Sequence, residues 1–221
     1  MSEFSIIITA GGIGKRMGSS IPKQFIEIGG KPILLRTLEV FHAFEPNAQI
    51  IITLPNEWKT YWSDLLKTFN CVIKHEIVDG GDERYHSIKN ALKHCNRNYV
   101  AVHDGVRPFV SLTTLSRCFD AVKIHHQVVP VIQLKDSLRK RVDSHSIAVN
   151  RSEFVHVQTP QCFLTASLEN AYEQAYHEGV TDDATIVEQA GFPIFLVEGN
   201  EENFKLTSQL DLILAEELCK N

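Results

Sequence analysis

Residues 6–25 read IIITAGGIGKRMGSSIPKQF, and this stretch decides how the rest of the chain is interpreted. The β-branched run at residues 6–9 favours a buried strand. The glycines after it let the backbone turn sharply and approach a ligand closely, because glycine has no Cβ. Three cations, Lys15, Arg16 and Lys23, lie within the nine residues after Gly14. A strand that ends in a glycine-rich loop with backbone N–H groups and cations predicts a phosphate site.

The spacing of this loop excludes two common phosphate-binding motifs. A Walker A loop needs G-x-x-x-x-G-K-[ST], but Arg16 follows Lys15, and Thr9 stands at the first glycine position. The dinucleotide fingerprint G-x-G-x-x-G needs a glycine where Met17 stands. The remaining alternative is a plain strand-to-helix turn that requires glycine. The three cations that follow argue against that alternative.

Composition indicates an ordinary globular protein. The 221 residues, 43% hydrophobic and 22% charged, suffice for one α/β domain with a full core. The net charge of −5 argues against a nucleic-acid partner, since such proteins carry clustered basic patches. The five scattered cysteines contain no C-x-x-C pair, which predicts reduced thiols and no zinc site. Neither a signal peptide nor an apolar run of ~20 residues is visible, so we expect a cytoplasmic protein without a membrane segment.

Strand-like and helix-like runs alternate along the chain. Strands are predicted at residues 6–10, 50–54, 71–78, 99–103, 128–134 and 194–198. Helices are predicted at residues 33–44, 58–69, 84–94, 113–126, 168–176, 183–189 and 209–218. This alternation predicts the α/β class, with a parallel sheet and helices on both faces. Ligands bind at the carboxyl ends of such strands, so residues 10–11, 79–81 and 104 should meet at one edge.

One segment interrupts the alternation. Residues 135–150 are polar and charged, and the chain returns through the alternating residues 154–157. This pattern predicts a β-hairpin arm that projects from the sheet, and the alternative is a long solvated loop. We therefore expect a single domain over residues 1–221 with an arm at about residues 134–157.

Two further loops carry candidate site residues. Asp104 ends an apolar strand beside a glycine, a position suited to Mg²⁺, which prefers one or two carboxylates, waters and substrate phosphates. The alternative is that Asp104 caps the next helix. Residues 79–84 (DGGDER) also follow a strand and open a helix. Asp82 could be the N-cap of that helix, with Ser87 one turn further in.

These motifs carry a resemblance to a known family. The A-G-G-x-G-x-R-M of residues 10–17, followed by P-K-Q-F, resembles the signature of the sugar-nucleotide and polyol-phosphate nucleotidyltransferases. Within them the chain is most similar to the 2-C-methyl-D-erythritol 4-phosphate cytidylyltransferases of non-mevalonate isoprenoid biosynthesis. The H-D-G-V-R-P of residues 103–108 and the N-F-K-L-T of residues 203–207 also match. The chain departs from the family pattern at Gly105-Val106, at Ser137 and at Asn150, where the family more often has Ala-Ala, threonine and aspartate.

The resemblance implies a fold, a set of site residues and an assembly. The fold would be a Rossmann-like three-layer sandwich with a mostly parallel central sheet and a projecting β-arm. Catalysis would fall to Arg16, Lys23 and Lys205. Nucleotide contacts would come from Ala10, Gly11, Gly12, Gly14, Lys15, Gly81, Asp82 and Ser87. Substrate contacts would come from Asp104, Arg107, Ser137, Arg151 and Thr181, with Asp104 also binding Mg²⁺ or another divalent cation. The arm would pair two chains in a homodimer, and the turn at Thr181 has a helix N-cap as its alternative role.

The implied reaction joins CTP to a polyol phosphate and releases pyrophosphate. The attacking phosphate has a second pKa of ~6, so it is ionised at neutral pH and needs no general base. Fixed cations and a metal must instead offset the repulsion between two anions. Two alternatives remain open from the sequence. One is ribitol 5-phosphate as the polyol, and the other is a non-catalytic nucleotide-binding module, which would not need so many charged groups at one phosphate.

Overall fold

The computed structural model describes residues 2–11 and 21–220, and all structural statements refer to them. The strands are β1 (Phe4–Thr9), β2 (Glu27–Ile28), β3 (Lys31–Pro32), β4 (Gln49–Leu54), β5 (Glu76–Asp79), β6 (Tyr99–Asp104), β7 (Gln127–Gln133), β8 (Arg139–Val142), β9 (His145–Ala148), β10 (Val155–Val157), β11 (Gln161–Leu164) and β12 (Phe195–Glu198). The α-helices are α1 (Ile33–Phe44), α2 (Lys59–Thr68), α3 (Arg84–Leu92), α4 (Leu112–His125), α5 (Thr165–Ala171), α6 (Asp183–Gln189) and α7 (Gln209–Leu218). Short 3₁₀ turns lie at Lys23–Phe25, Asn56–Trp58 and Arg151–Glu153.

A mostly parallel sheet forms the centre of the fold. β1 lies between β4 and β6 and pairs with both in parallel, and β5 extends the sheet beyond β4. On the other side, β11 inserts antiparallel between β6 and β7. β7 also pairs antiparallel with β10 and parallel with β12. The carboxyl ends of β1, β4, β5 and β6 therefore share one edge of the sheet.

Helices cover both faces of this sheet, as the alternating pattern predicted. Ile6 and Ile8 of β1 belong to the buried cluster that includes Leu38 of α1. Ile7 points to the opposite face, where it belongs to a second cluster with Ile88 of α3. Successive strand residues alternate between faces, so a strand buried on both faces is apolar throughout. Each such fully buried side chain contributes about 1.5–3 kcal/mol of hydrophobic stabilisation.

The boundaries of two predicted elements were wrong. Residues 71–78 were predicted as one strand, but β5 begins at Glu76. Just before it, the His75 ring accepts a hydrogen bond from the Trp62 indole at 3.0 Å, which holds this residue against α2. The helix predicted at residues 168–176 ends at Ala171. The next carbonyl, that of Tyr172, accepts hydrogen bonds from Tyr85 and Lys89 and so leaves the helical pattern.

The predicted arm is a β-hairpin. β8 and β9 pair antiparallel over four residues each, and in the described part of the chain they join no strand of the central sheet. Most of their side chains are exposed, including Ile147. The hairpin therefore buries little surface within its own chain. In the described ranges, no helix combines the length and apolar character that crossing a membrane would require.

Candidate active site

A cavity of about 400 Å³ opens at the carboxyl edge of the sheet. Eight of the predicted site residues line it: Ala10, Gly11, Lys23, Gly81, Asp82, Ser87, Asp104 and Lys205. Seven of them come from the ends of β1, β5 and β6 and from the segments that follow these strands, and Lys205 comes from the segment between β12 and α7. The expectation that these loops meet at one edge is confirmed. Five further lining residues were not among the predicted site residues: Thr9, Gln24, Glu83, Arg84 and Val106.

Asp104 is the charged centre of this cavity. The residue is only 6% exposed, and its Oδ2 lies 3.1 Å from Arg107 Nε and 3.0 Å from Lys205 Nζ. Oδ1 lies 3.6 Å from Arg84 Nε. Burial opposes ionisation of Asp104, but the three cations outweigh it and hold the pKa of this carboxyl well below its usual range. Asp104 is therefore an anion at any physiological pH.

A chain of hydrogen bonds fixes the backbone around Asp104. The Asp104 N–H donates to Thr159 Oγ1 at 3.1 Å, and Thr159 Oγ1 lies 3.0 Å from His103 Nδ1. His103 Nε2 lies 3.0 Å from the Arg107 carbonyl, which can only accept, so the proton is on Nε2. Burial lowers the pKa of His103 to about 4 despite this hydrogen bond. A neutral His103 thus contacts the Arg107 end of the turn directly and the Asp104 end through Thr159.

Arg84 was missed as a site residue, although it begins α3 directly after the DGGDE loop. Its Nη2 donates to Asp183 Oδ2 at 2.7 Å, while its Nε faces Asp104. Burial disfavours its charge, but Asp183 and Asp104 prevail and raise the pKa of Arg84 above its usual value. Its position one residue inside a helix that opens on a phosphate-type loop is a weak signal, because a solvated arginine would occupy the same place.

The loop between β5 and α3 is shaped by Gly81 and Ser87. Gly81 N–H donates to Ser87 Oγ at 2.9 Å, and Ser87 Oγ donates to the Glu83 carbonyl at 3.2 Å. A Cβ at Gly81 would lie 2.3 Å from His86 Cβ, so this position requires glycine. The alternative role of Asp82 as N-cap is wrong, because Glu83 is the N-cap and makes no side-chain capping bond. Asp82 is instead an exposed residue of the cavity wall.

The segment with Lys23 is tied to the end of β1. The buried Gln24 amide donates to the Ala10 carbonyl at 2.6 Å, and both residues line the cavity. This bond places the 3₁₀ turn Lys23–Phe25, and hence Lys23, beside the end of β1. Four predicted residues of that loop, Gly12, Gly14, Lys15 and Arg16, lie outside the described residues.

Four other predicted residues do not line the cavity. Arg107 lies behind Asp104 and donates from Nη1 to the Asn203 carbonyl at 2.6 Å. Ser137 is exposed just before β8, and Arg151 is exposed just after β9 and donates to the Lys135 carbonyl. Thr181 is exposed before α6.

Both capping alternatives can be decided from the structure. Asp182 caps α6, with its side chain accepting from the Thr185 N–H at 2.9 Å, so the T-D-D turn does form a helix cap. Asp104 caps no helix, since α4 is capped by Ser111, whose Oγ accepts from the Thr114 N–H at 3.0 Å. The capping alternative for Asp104 is therefore wrong.

The donors at the site suit a divalent cation that is shared with a ligand. Among residues 2–11 and 21–220, no three His, Cys, Asp or Glu side chains cluster as a complete metal site. Asp104 offers one carboxylate, and the contact of its Oδ1 with Arg84 is long, at 3.6 Å. Mg²⁺ is commonly held by one or two carboxylates, with waters and substrate phosphates completing the octahedron. The residues present fit such a shared site and do not form a dedicated cage.

The fold and the site together define a nucleotide-binding α/β protein that concentrates cations around one buried carboxylate, as enzymes of phosphoryl and nucleotidyl transfer do. The sequence model of one family, described as IspD, 2-C-methyl-D-erythritol 4-phosphate cytidylyltransferase, matches residues 4–221. The chain belongs to this family.

Individual relatives agree with this assignment. The 2-C-methyl-D-erythritol 4-phosphate cytidylyltransferase of Bacteroides fragilis is 48% identical over 213 residues, 96% of this chain and 97% of that protein. The enzyme of that name from Phocaeicola vulgatus is 46% identical over 214 residues, 96% of this chain and 98% of its own. The crystal structure of the enzyme of that name from Thermus thermophilus superposes with a TM-score of 0.83 at 32% identity, and the match covers 100% of both chains.

Proposed function

We propose that this chain transfers CMP from CTP to 2-C-methyl-D-erythritol 4-phosphate, giving 4-CDP-2-C-methyl-D-erythritol and pyrophosphate in isoprenoid precursor biosynthesis. As a member of its family the chain is a cytidylyltransferase, a nucleotidyltransferase enzyme. The observation that carries the proposal is the cavity in which Arg84, Lys205 and Asp104 meet Ala10 and Gly11 at the end of β1. A cavity so placed accepts a nucleotide at the carboxyl edge of the sheet.

The described cations suit the charge that develops at the α-phosphorus. The polyol phosphate has a second pKa of ~6 and attacks as a dianion, so no side chain has to remove a proton. Lys23 and Lys205 line the cavity and can face the nucleotide phosphates. Arg16, which lies outside the described residues, would add a third charge from the glycine loop. Each donor of this kind is worth a factor of ~10²–10³ in rate.

The nucleoside would lie along the loop between β5 and α3. Gly81 and Asp82 form the wall of the cavity there, and Ser87 holds the loop in shape. Backbone groups of a fixed loop can distinguish bases through hydrogen bonds without any large side chain. Ala10 and Gly11, which also line the cavity, would present the end of β1 to the triphosphate.

Asp104 would hold Mg²⁺ or another divalent cation. When bound, the ion would neutralise phosphate charge and orient the nucleotide. Lys205 is the natural residue to give way, because its side chain is 40% exposed whereas that of Arg107 is 13% exposed. We infer that, when the nucleotide binds, the Lys205 ammonium group leaves Asp104 and pairs with a nucleotide phosphate.

The polyol side of the site would be completed by a second copy of the chain. Ser137 and Arg151 lie in the arm, on either side of the β8–β9 hairpin, and are not among the residues that line the cavity. A homodimer in which each arm packs on the other subunit would bring Arg151 to the neighbour's polyol phosphate, with Thr181 contributing from its turn. Such an enzyme would work in the cytoplasm without nucleic acid or membrane partners.

One assay tests this function. We expect purified protein with CTP and Mg²⁺ to release pyrophosphate with 2-C-methyl-D-erythritol 4-phosphate, and to lose that activity in excess EDTA. Ribitol 5-phosphate is the matched control substrate, since it carries the same reacting phosphate on another polyol. A faster reaction with ribitol 5-phosphate would overturn the assigned substrate. Tight CTP binding without turnover on either polyol would overturn the assigned activity.

A further inference from the structure

From the wall of the cavity, a line of polar groups connects Asp104 through Arg84 to the start of α6. Arg84 bridges two carboxylates, with Nε facing Asp104 at 3.6 Å and Nη2 bonded to Asp183 at 2.7 Å. Asp183 is fully buried, and its other oxygen accepts a hydrogen bond from the Tyr172 hydroxyl at 2.6 Å. Both carboxylate oxygens of Asp183 are thus occupied, and neither contact is to the cavity.

The start of α6 is itself anchored to the sheet. Gln161 of β11 donates to Asp182 Oδ2 at 2.7 Å and accepts from the Ala184 N–H at 2.9 Å. Asp182 and Asp183 therefore have fixed positions relative to the sheet edge that carries Asp104. The guanidinium of Arg84 is planar and its two contacts are rigidly spaced, so fixing Asp183 also fixes the group that faces Asp104.

The charges around Asp104 explain why such a support is useful. Three cations within 3.6 Å of one carboxylate would repel an incoming divalent ion. Lys205 is partly exposed and can turn to a phosphate, but Arg84 is held in place by Asp183. The buried negative charge of Asp183 offsets the positive charge of Arg84. Once Lys205 has turned away, the charges of Asp104, Arg84, Asp183 and Arg107 therefore sum to zero, whereas without Asp183 they would sum to +1 and repel a cation.

We propose that Asp183, supported by the Tyr172 hydroxyl, is a positioning residue that holds and neutralises Arg84 so that Asp104 can bind the divalent cation of the nucleotide. This inference rests on the proposed function, which assigns Asp104 to the metal. Asp183 touches neither the cavity nor the reacting groups, and it acts through Arg84 alone. Groups that orient a metal ligand from behind typically change metal affinity or activity by 10–100-fold when they are replaced.

The test compares CTP binding with and without metal by calorimetry, in wild type and in Asp183→Asn. We expect the enhancement of CTP affinity by Mn²⁺ to fall about 10–100-fold in Asp183→Asn. CTP binding in EDTA should be no weaker than in wild type, because the substitution removes a negative charge near an anionic ligand. If the substitution only destabilised the fold, CTP would bind more weakly both in EDTA and with Mn²⁺. An unchanged Mn²⁺ enhancement would overturn the proposal.

Two tyrosine variants guard against a failure of Asp183→Asn to fold. Tyr172→Phe removes only the hydroxyl that bonds Asp183, and should lower the Mn²⁺ enhancement in the same direction by a smaller factor. Tyr85→Phe is the matched control: its ring stacks on Tyr172 at 4.7 Å, but its hydroxyl donates to backbone carbonyls. Both should lower the melting temperature by about 2–4 °C. Equal effects of the two variants on the Mn²⁺ enhancement would overturn the proposal.

Asp104→Asn separates this inference from the proposed function. It should abolish the Mn²⁺ enhancement of CTP binding. If it does, and Asp183→Asn matches wild type, the positioning role is wrong while the metal assignment stands. If Asp104→Asn retains the enhancement, the metal assignment fails and the positioning role fails with it. If wild type binds Mn²⁺ and CTP through Asp104 but releases no pyrophosphate, only the assigned reaction fails.

Discussion

At the scale of single residues, Asp104 shows how a buried carboxylate can stay ionised and still be available to a ligand. Removing a carboxylate from water costs several kcal/mol, and the cost is recovered only when partners of opposite charge are well placed. Arg107 is such a partner and is itself anchored on the Asn203 carbonyl. Lys205 makes an equally short contact from a half-exposed position. The site therefore combines a fixed cation with one that can leave.

Replacing the cavity lysines should separate catalysis from folding. We expect Lys205→Ala and Lys23→Ala each to lower kcat at least ~10²-fold, because each removes a group that stabilises phosphate charge. The matched control is Lys31→Ala, since Lys31 pairs with Glu39 at 2.8 Å outside the cavity. Steady-state kinetics measure kcat, and circular dichroism measures the fold. Near-wild-type kcat in both cavity variants would contradict their assignment.

His103 should make stability depend on pH. Burial lowers its pKa to about 4 in the folded chain, against about 6.5 when unfolded. As pH falls from about 6.5 to 4, the unfolded chain takes up a proton that the folded chain refuses, so stability falls. The loss is on the order of 3 kcal/mol. The free energy of unfolding, measured in urea between pH 7.5 and 4.5, should depend less steeply on pH in His103→Gln than in wild type. Equal slopes in the two proteins would show that His103 is not the source of the pH dependence.

At the scale of elements, periodicity predicted the long elements better than the short ones. The helix predicted at residues 33–44 is observed over that span, because α1 is long enough to show its apolar stripe. β11 was not predicted, since its four residues QCFL are too few to show a period and the strand is defined by its partners β6 and β7. Pairing of this kind depends on tertiary structure.

The site residues, like the elements, could be predicted where a local pattern fixes their position and not where tertiary contacts do. Cavity residues that follow strands, such as Gly81 and Asp104, could be predicted because a strand end fixes where they lie. Arg84 and Asp183 could not, because their roles arise from a contact across 99 positions of sequence. No local pattern distinguishes a helix-start arginine that bridges two carboxylates from one that is solvated. Ser137 and Arg151 remain predictions, since neither lines the cavity in the part of the chain that the structure describes.

The start of α7 allows a direct measure of one capping contribution. Ser208 accepts from the Asp211 N–H and forms a capping box with Asp211, directly after the segment that carries Lys205. Ser208→Ala should lower the free energy of unfolding by about 1 kcal/mol. The matched control is Ser116→Ala inside α4, where the hydroxyl only donates to exposed Asp120 and alanine favours the helix. Equal destabilisation in urea titrations would disprove a specific capping effect.

At the scale of the whole molecule, the arm is the part that its own chain leaves unsupported. A two-stranded ribbon alone in water is at best marginally stable. β8 and β9 pair only with each other in the described ranges, and apolar Ile147, Phe154 and Val157 along this region are each more than 40% exposed. A two-fold homodimer would cover these side chains with the same surface of a second copy.

If the chain forms this dimer, each active site should contain residues of both subunits. Arg151→Ala and Lys23→Ala should each be inactive alone, because one lacks the residue lent to the neighbour and the other lacks a cavity lysine. Mixed dimers should regain up to about one intact site per heterodimer, by the geometry of a two-fold axis. The control mixes wild type with the double variant, whose heterodimers gain no site by exchange. The shared-site proposal would be overturned if sedimentation showed an active monomer, or if heterodimers formed and regained no activity. Arg151 would then act within its own chain or have no role in catalysis.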